Sequence, residues 1–132
     1  MNKPGRILVI DDDADIVAYL ETILRDHGYE VLSATDGAAG LELARRKRPD
    51  LICLDIAMPP PTGVRVYREL RDDPALKGIP VVIVTGVMPQ FKDFIHHRKR
   101  VPPPDGYIQK PFDPADVIAT VGRLLAPVVT GP

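Results

Sequence analysis

Three aspartates stand in a row at residues 11–13, directly after the apolar segment ILVI. Adjacent carboxylates repel one another. The formal net charge of the whole chain is only −1, so this cluster of like charge is a local feature. Carboxylate oxygens without neighbouring His or Cys suit a hard divalent cation such as Mg²⁺. We expect a bound Mg²⁺ alone to relieve the repulsion between Asp11 and Asp12, and without it at least one carboxyl pKa should be raised.

Three further polar residues also follow apolar segments. Asp55 follows LICL, Thr85 follows VVIV, and Lys110 follows the weaker segment GYIQ. If these segments are parallel strands, their carboxyl ends lie at one edge of the sheet, where open α/β sheets bind ligands. Aspartates after strands also form turns and helix caps, and that explanation suffices for any single one. It does not account for the whole set.

The elements that must position these residues alternate along the chain. Apolar runs at 7–10, 31–34, 51–54, 81–84 and 106–109 predict strands, and helical periodicity appears at 16–27, 37–48, 63–71, 88–100 and 117–125. This alternation predicts an α/β fold, a flavodoxin-like (βα)5 three-layer sandwich whose parallel five-stranded sheet has the order 2-1-3-4-5. Strands 1 and 3 are neighbours in that order, so Asp11, Asp12 and Asp55 would converge. Asp13 is expected to cap the first helix.

Composition narrows the class of protein. The net charge of −1 argues against a dedicated nucleic-acid binder, and no apolar run approaches the length needed to cross a bilayer. The single cysteine, Cys53, lies in the apolar run LICL and is interpreted as a core residue rather than a reactive thiol. No signal-peptide pattern precedes Asp11, so we expect a cytoplasmic protein.

Four segments in order resemble the receiver domain of response regulators: ILVIDDDADI, LICLDIAMPPPTG, VVIVTG and YIQKPFDP. The resemblance covers residues 6–126. It implies a single receiver domain over residues 1–126, followed by a disordered tail at 127–132, with no output domain. It also implies a protein that is not an enzyme beyond its own phosphorylation and dephosphorylation.

The resemblance assigns the site chemistry residue by residue. Asp55 would be the phosphoryl acceptor, a carboxylate nucleophile that forms an acyl phosphate. Asp12 and Asp55 would bind Mg²⁺ directly and Asp11 through water, while the backbone carbonyl of Ala57 would complete the protein ligands. Lys110 would meet the phosphoryl oxygens.

A switch and its partners follow from the same resemblance. Thr85 would donate its hydroxyl to the phosphoryl group, and Tyr107 would fill the space that Thr85 leaves. This change would be transmitted to the face formed by the predicted helix 88–100, the fifth strand and the last helix. The implied partners are a sensor histidine kinase or histidine phosphotransfer protein and a downstream protein target, with no nucleic acid and no membrane insertion. A phosphorylation-dependent homodimer is also compatible, and the Lys110–Pro111 bond is expected to be cis.

Three departures from the family pattern matter. The three prolines at 59–61 predict a stiffer acceptor loop. Ala57 and Val87 stand where polar side chains orient an attacking water in relatives, so we expect slow self-dephosphorylation. The segment 88–106 is longer than usual and carries the basic run HHRKR; a solvated helix end and a partner-docking patch both remain open.

Other classes of protein fit the site less well. An Mg²⁺-dependent phosphatase or phosphotransferase on this fold needs a second acid two residues after the nucleophile, where this chain has Ala57. A flavin-binding protein would need a Ser/Thr-rich phosphate loop after strand 1, whereas the three acids at that position in this chain would repel phosphate. A receiver that only docks, without phosphorylation, is disfavoured by the intact acidic set.

Overall fold

The computed structural model of the chain describes residues 5–86 and 103–125. Val87, the predicted helix at 88–100 and the predicted tail at 127–132 lie outside these residues, so the statements about them stay predictions. None of the helices among the described residues is long and apolar enough to cross a bilayer.

The five predicted strands form one parallel sheet. They are β1 (Arg6–Ile10), β2 (Glu30–Ala34), β3 (Leu51–Leu54), β4 (Val81–Thr85) and β5 (Gly106–Gln109). Their order is β2-β1-β3-β4-β5, and every neighbouring pair is parallel. The predicted flavodoxin-like fold class is therefore confirmed. Thr85, predicted to follow its strand, is the last residue of β4.

Within residues 5–86 and 103–125, four helices cover the two faces of the sheet. They are α1 (Ala14–Asp26), α2 (Gly37–Lys47), α3 (Gly63–Asp72) and the C-terminal helix (Pro114–Leu124). Asp13 caps α1, because its side chain accepts hydrogen bonds from the backbone N–H groups of Asp15 and Ile16 at 2.9 and 3.4 Å. The predicted cap is confirmed. Gly28, just past α1, has a φ of +89° that glycine adopts without strain.

The core lies in two layers because successive strand residues face opposite sides of the sheet. In β1, Leu8 and Ile10 pack with α2 and α3, whereas Ile7 and Val9 pack with α1 and the C-terminal helix. Burial on both faces explains why the central strands read as continuous apolar runs. Cys53 belongs to this core, and burial raises the pKa of its thiol to about 12, which confirms its interpretation as an inert core residue.

Candidate phosphoryl-acceptor site

Three carboxylates meet at the carboxyl edge of the sheet. Because Ile10 of β1 lies opposite Leu54 of β3, the next residues, Asp11 and Asp55, emerge side by side. Oxygen atoms of Asp11, Asp12 and Asp55 lie within 4.8 Å of one another. Asp11 and Asp55 are buried, whereas Asp12 is exposed and opens the cluster to solvent. The predicted convergence is confirmed.

Lys110, which follows the edge strand β5, contacts two of the three carboxylates. Its Nζ lies 2.9 Å from Asp11 Oδ2 and 3.5 Å from Asp55 Oδ1. Burial lowers the pKa of Lys110, but the hydrogen bond to Asp11 and the charge of Asp55 outweigh it, so the net pKa is raised and the ammonium is retained. The expectation that only a metal relieves the repulsion is wrong, because the ammonium of Lys110 already offsets part of it.

Backbone N–H groups orient the two buried carboxylates. The amide of Asp13 donates to Asp11 Oδ1 at 2.9 Å, and the amide of Ala57 donates to Asp55 Oδ1 at 3.4 Å. Each carboxylate thus accepts from the residue two positions later, the arrangement of an Asx turn. Neither donor was predicted from the sequence, although an Asp directly after a strand is the signal that could have indicated both of them.

The pKa of Asp55 is raised to about 6. Burial is the largest cause and the charge of Asp11 the second, while the Lys110 ammonium and the Ala57 amide lower it in part. A raised carboxyl pKa was predicted, but from repulsion, and burial contributes more. The group is therefore protonated below a pH of about 6 and is mostly a carboxylate at neutral pH.

The chemistry of this donor set fits a divalent cation. All the converging ligand atoms are carboxylate oxygens, two of the acids are buried, and the third faces solvent. Hard oxygen ligands of this kind are those that Mg²⁺ prefers. The backbone carbonyl of Ala57, two residues beyond Asp55, remains a predicted ligand.

Thr85 and Tyr107 lie on the two strands next to the cluster. Thr85 is fully buried at the end of β4, and its carbonyl accepts a hydrogen bond from the amide of Lys110 at 3.0 Å. Tyr107 lies two residues earlier along the same pair of strands, opposite Ile83, half-buried against the core layer of α2 and α3. Burial raises the pKa of its phenol. Thr85 therefore lies at the carboxyl edge of the sheet, and Tyr107 lies two residues further from that edge.

Gly63 allows α3 to begin directly against the acceptor loop. A Cβ atom at this position would overlap the Asp55 carbonyl oxygen and the Ile56 Cα, and the Gly63 amide donates to the Ile56 carbonyl at 3.1 Å. Thr62 caps the helix, and the Pro60–Pro61 bond before it is cis. The start of α3 thus fixes the loop that carries Asp55.

The bond between Lys110 and Pro111 is cis, as expected from the resemblance. The fold and this edge together define a flavodoxin-like domain with an acidic site and a lysine at the carboxyl ends of its strands. The chain belongs to the response regulator receiver domain family, whose sequence profile matches residues 7–122.

Individual relatives agree with this assignment. Protein Rrf1 of Nitratidesulfovibrio vulgaris is 39% identical over 97% of this chain and 88% of its own length. The chemotaxis protein CheY4 of Vibrio cholerae has a similar structure, with a TM-score of 0.82, 32% identity, and coverage of 92% of this chain and 99% of CheY4. The receiver domain of the sensor histidine kinase PA1611 of Pseudomonas aeruginosa has a TM-score of 0.82 at 25% identity, covering 94% of this chain and 99% of that one. That structure holds a magnesium ion in its active site cleft.

Proposed function

We propose that this receiver domain is a phospho-accepting switch and that Asp55 is its acceptor. A lone pair of the Asp55 carboxylate forms the bond to phosphorus while the bond from phosphorus to the donor imidazole nitrogen breaks. The electron pair of the broken bond stays on that nitrogen, and an acyl phosphate is left on Asp55. The observation that carries the proposal is a buried carboxylate within an acidic cluster, with an ammonium 3.5 Å away.

The other site residues have supporting roles. Lys110 stabilises the charge on the phosphoryl oxygens, and the Thr85 hydroxyl donates to one of them. Asp11, Asp12, Asp55 and the carbonyl of Ala57 would hold Mg²⁺, which when bound neutralises negative charge on the transferred group. Loss of the Asp55 proton, with its pKa near 6, supplies the nucleophile at neutral pH.

The readout of the switch is proposed at Tyr107. Movement of Thr85 toward a phosphoryl group would leave space beside β5 that the Tyr107 ring can fill. The change would be read on the face formed by the predicted helix 88–100, β5 and the C-terminal helix.

The partners proposed for this switch are a histidine kinase or histidine phosphotransfer protein as donor and a protein as target, in the cytoplasm. A phosphorylation-dependent homodimer is the alternative readout. The chain would catalyse only its own phosphorylation and dephosphorylation.

The test is incubation with Mg²⁺ and a small phosphodonor, followed by intact-mass measurement. Wild type should gain one base-labile phosphoryl group, and Asp55→Asn should gain none. Asp26→Asn, the same change at an exposed residue of α1, is the matched control and should behave as wild type. Equal labelling of Asp55→Asn and wild type would refute the proposal.

A further inference from the structure

β5 is a short edge strand that carries two residues of the proposed site machinery. It has four residues, and in the part of the chain that the structure describes it pairs only with β4. Tyr107 lies within it and Lys110 follows its end. Because a slip of one residue moves every side chain of a strand to the opposite face, the reach of Lys110 to Asp55 depends on what fixes the register of β5.

Asp105 fixes the start of this strand. Its amide donates to the Val81 carbonyl at 2.9 Å, and its Oδ2 accepts from the Val81 amide at 2.8 Å. The same Oδ2 accepts from Arg71 Nη2 at 2.7 Å. The residue just before β5 is therefore tied both to the first residue of β4 and to the last turn of α3.

Arg71 holds that carboxylate from within the fold. Only 7% of its side chain is exposed. Its Nη1 donates to the carbonyls of Lys77 and Ile79 at 3.1 and 2.9 Å. Its Nε donates to the Tyr67 hydroxyl at 3.1 Å, and the guanidinium lies 5.0 Å from the centroid of that ring. With contacts on several sides, the Arg71 guanidinium fixes the position of the Asp105 carboxylate, because moving it would leave several buried groups without partners.

We propose that Arg71 and Asp105 are positioning residues for the acceptor site. They set the register of β5 against β4 and thereby place Lys110 beside Asp55. Helix α3 contacts both parts of the site, because its first residue, Gly63, packs against the Asp55 loop and Arg71 in its last turn binds Asp105 just before β5. The length of α3 therefore helps to set the distance between Asp55 and Lys110. This inference rests on the proposed function, because it assigns the two residues to the reaction of that site.

The test compares Arg71→Lys and Asp105→Asn with Arg65→Lys, a change at an exposed arginine of α3 that pairs with Glu69. Two quantities are measured well below the unfolding temperature of each variant: amide hydrogen exchange in β5, and the rate of phosphorylation by a small phosphodonor at saturating Mg²⁺. Arg71→Lys and Asp105→Asn both weaken the Arg71–Asp105 ion pair, which we call the clamp. Both clamp variants should exchange β5 amides about tenfold faster or more and accept phosphoryl about tenfold more slowly. The affinity for Mg²⁺ should not fall, since neither change alters a proposed metal ligand. Arg65→Lys should match wild type throughout.

A double-mutant cycle separates positioning from general destabilisation. If the clamp acts through Lys110, then Arg71→Lys should slow phosphorylation no further in a Lys110→Ala background. Additive slowing in that background, or unchanged β5 exchange in both clamp variants, would overturn the proposal. If wild type itself accepted no phosphoryl group, the proposed function would fail first, and β5 exchange alone would then decide whether the clamp sets the register.

Discussion

At the scale of single residues, Asp55 is balanced between two opposing influences. Burial and the charge of Asp11 favour its neutral form, whereas the Lys110 ammonium and the Ala57 amide favour the carboxylate. The pKa of about 6 that results leaves the group ionised at neutral pH but at a cost in stability. The site thus keeps a reactive carboxylate that a cation can stabilise.

This balance predicts that the metal-free protein loses stability as pH rises from about 4 to about 6. In that range the folded state binds more protons than the unfolded chain, so the free energy of unfolding falls with increasing pH. The decrease should be on the order of 3 kcal/mol, because the pKa of Asp55 is raised from 3.8 to about 6. Denaturant unfolding in the presence of a chelator measures it, and Asp55→Asn should remove this part of the slope. Parallel pH profiles for wild type and variant would contradict the assignment of the pKa.

The methyl side chain of Ala57 leads us to expect a long lifetime for the phosphorylated state. This side chain, two residues beyond Asp55, is exposed and has no group that could orient a water molecule. The acyl phosphate should therefore persist for minutes or longer with Mg²⁺ present, and Ala57→Asn should shorten its life by about tenfold. The decay of the phosphorylated mass after removal of donor measures this. A wild-type half-life of seconds would show that another group of the site orients the attacking water despite the methyl side chain of Ala57.

At the scale of elements, α3 connects the acceptor loop to the rest of the sheet. The helix can start where it does only because Gly63 has no side chain to meet the Asp55 carbonyl. The sequence pattern placed a glycine at the end of the acceptor loop without indicating this contact. Backbone packing, rather than conformational freedom, explains the residue.

Gly63→Ala should therefore displace the acceptor loop and destabilise the protein by about 2 kcal/mol or more. Gly122→Ala is the matched control, because Gly122 lies in the last turn of the C-terminal helix and a Cβ there meets nothing within 4 Å. That change should stabilise the fold by about 0.5–1 kcal/mol. Chemical denaturation compares the two free energies of unfolding. Equal effects of the two substitutions would show that the loop yields to the extra methyl group.

Most elements could be predicted because their signals are local. The strands are continuous apolar runs and α1 has a clear stripe, so fold class and strand order followed. The end of α2 could not be placed as well, because Arg48 takes a left-handed φ of 43° that arginine rarely adopts. The Arg71–Asp105 clamp could not be predicted either, because Asp105 lies within the unusual segment 88–106 and its partner Arg71 is 34 residues away.

At the scale of the whole molecule, the site exists only in the folded chain. Asp11, Asp55 and Lys110 come from three different strand ends, and the lysine is 99 residues from Asp11. Any cation that binds the assembled carboxylates must stabilise the fold, since the unfolded chain offers no such cluster.

Mg²⁺ should accordingly raise the free energy of unfolding at neutral pH, by about 2.7 kcal/mol at a hundred times its dissociation constant. The effect should shrink as pH falls below about 6, because protons then compete for Asp55. Asp12→Asn, a change at an exposed carboxylate, should weaken the effect without disturbing the core, and Asp26→Asn should leave it intact. Equal Mg²⁺ stabilisation of both variants would exclude Asp12 as a ligand.

The most direct test of the central claim identifies the residue that carries the phosphoryl group. After phosphorylation with a small donor and Mg²⁺, borohydride reduction converts a phosphorylated aspartate to homoserine, and peptide mass spectrometry finds its position. We predict homoserine at position 55 and at no other aspartate. Homoserine at Asp11 or Asp12, or none in any peptide of a protein that has taken up phosphate, would contradict the assignment of Asp55 as the acceptor.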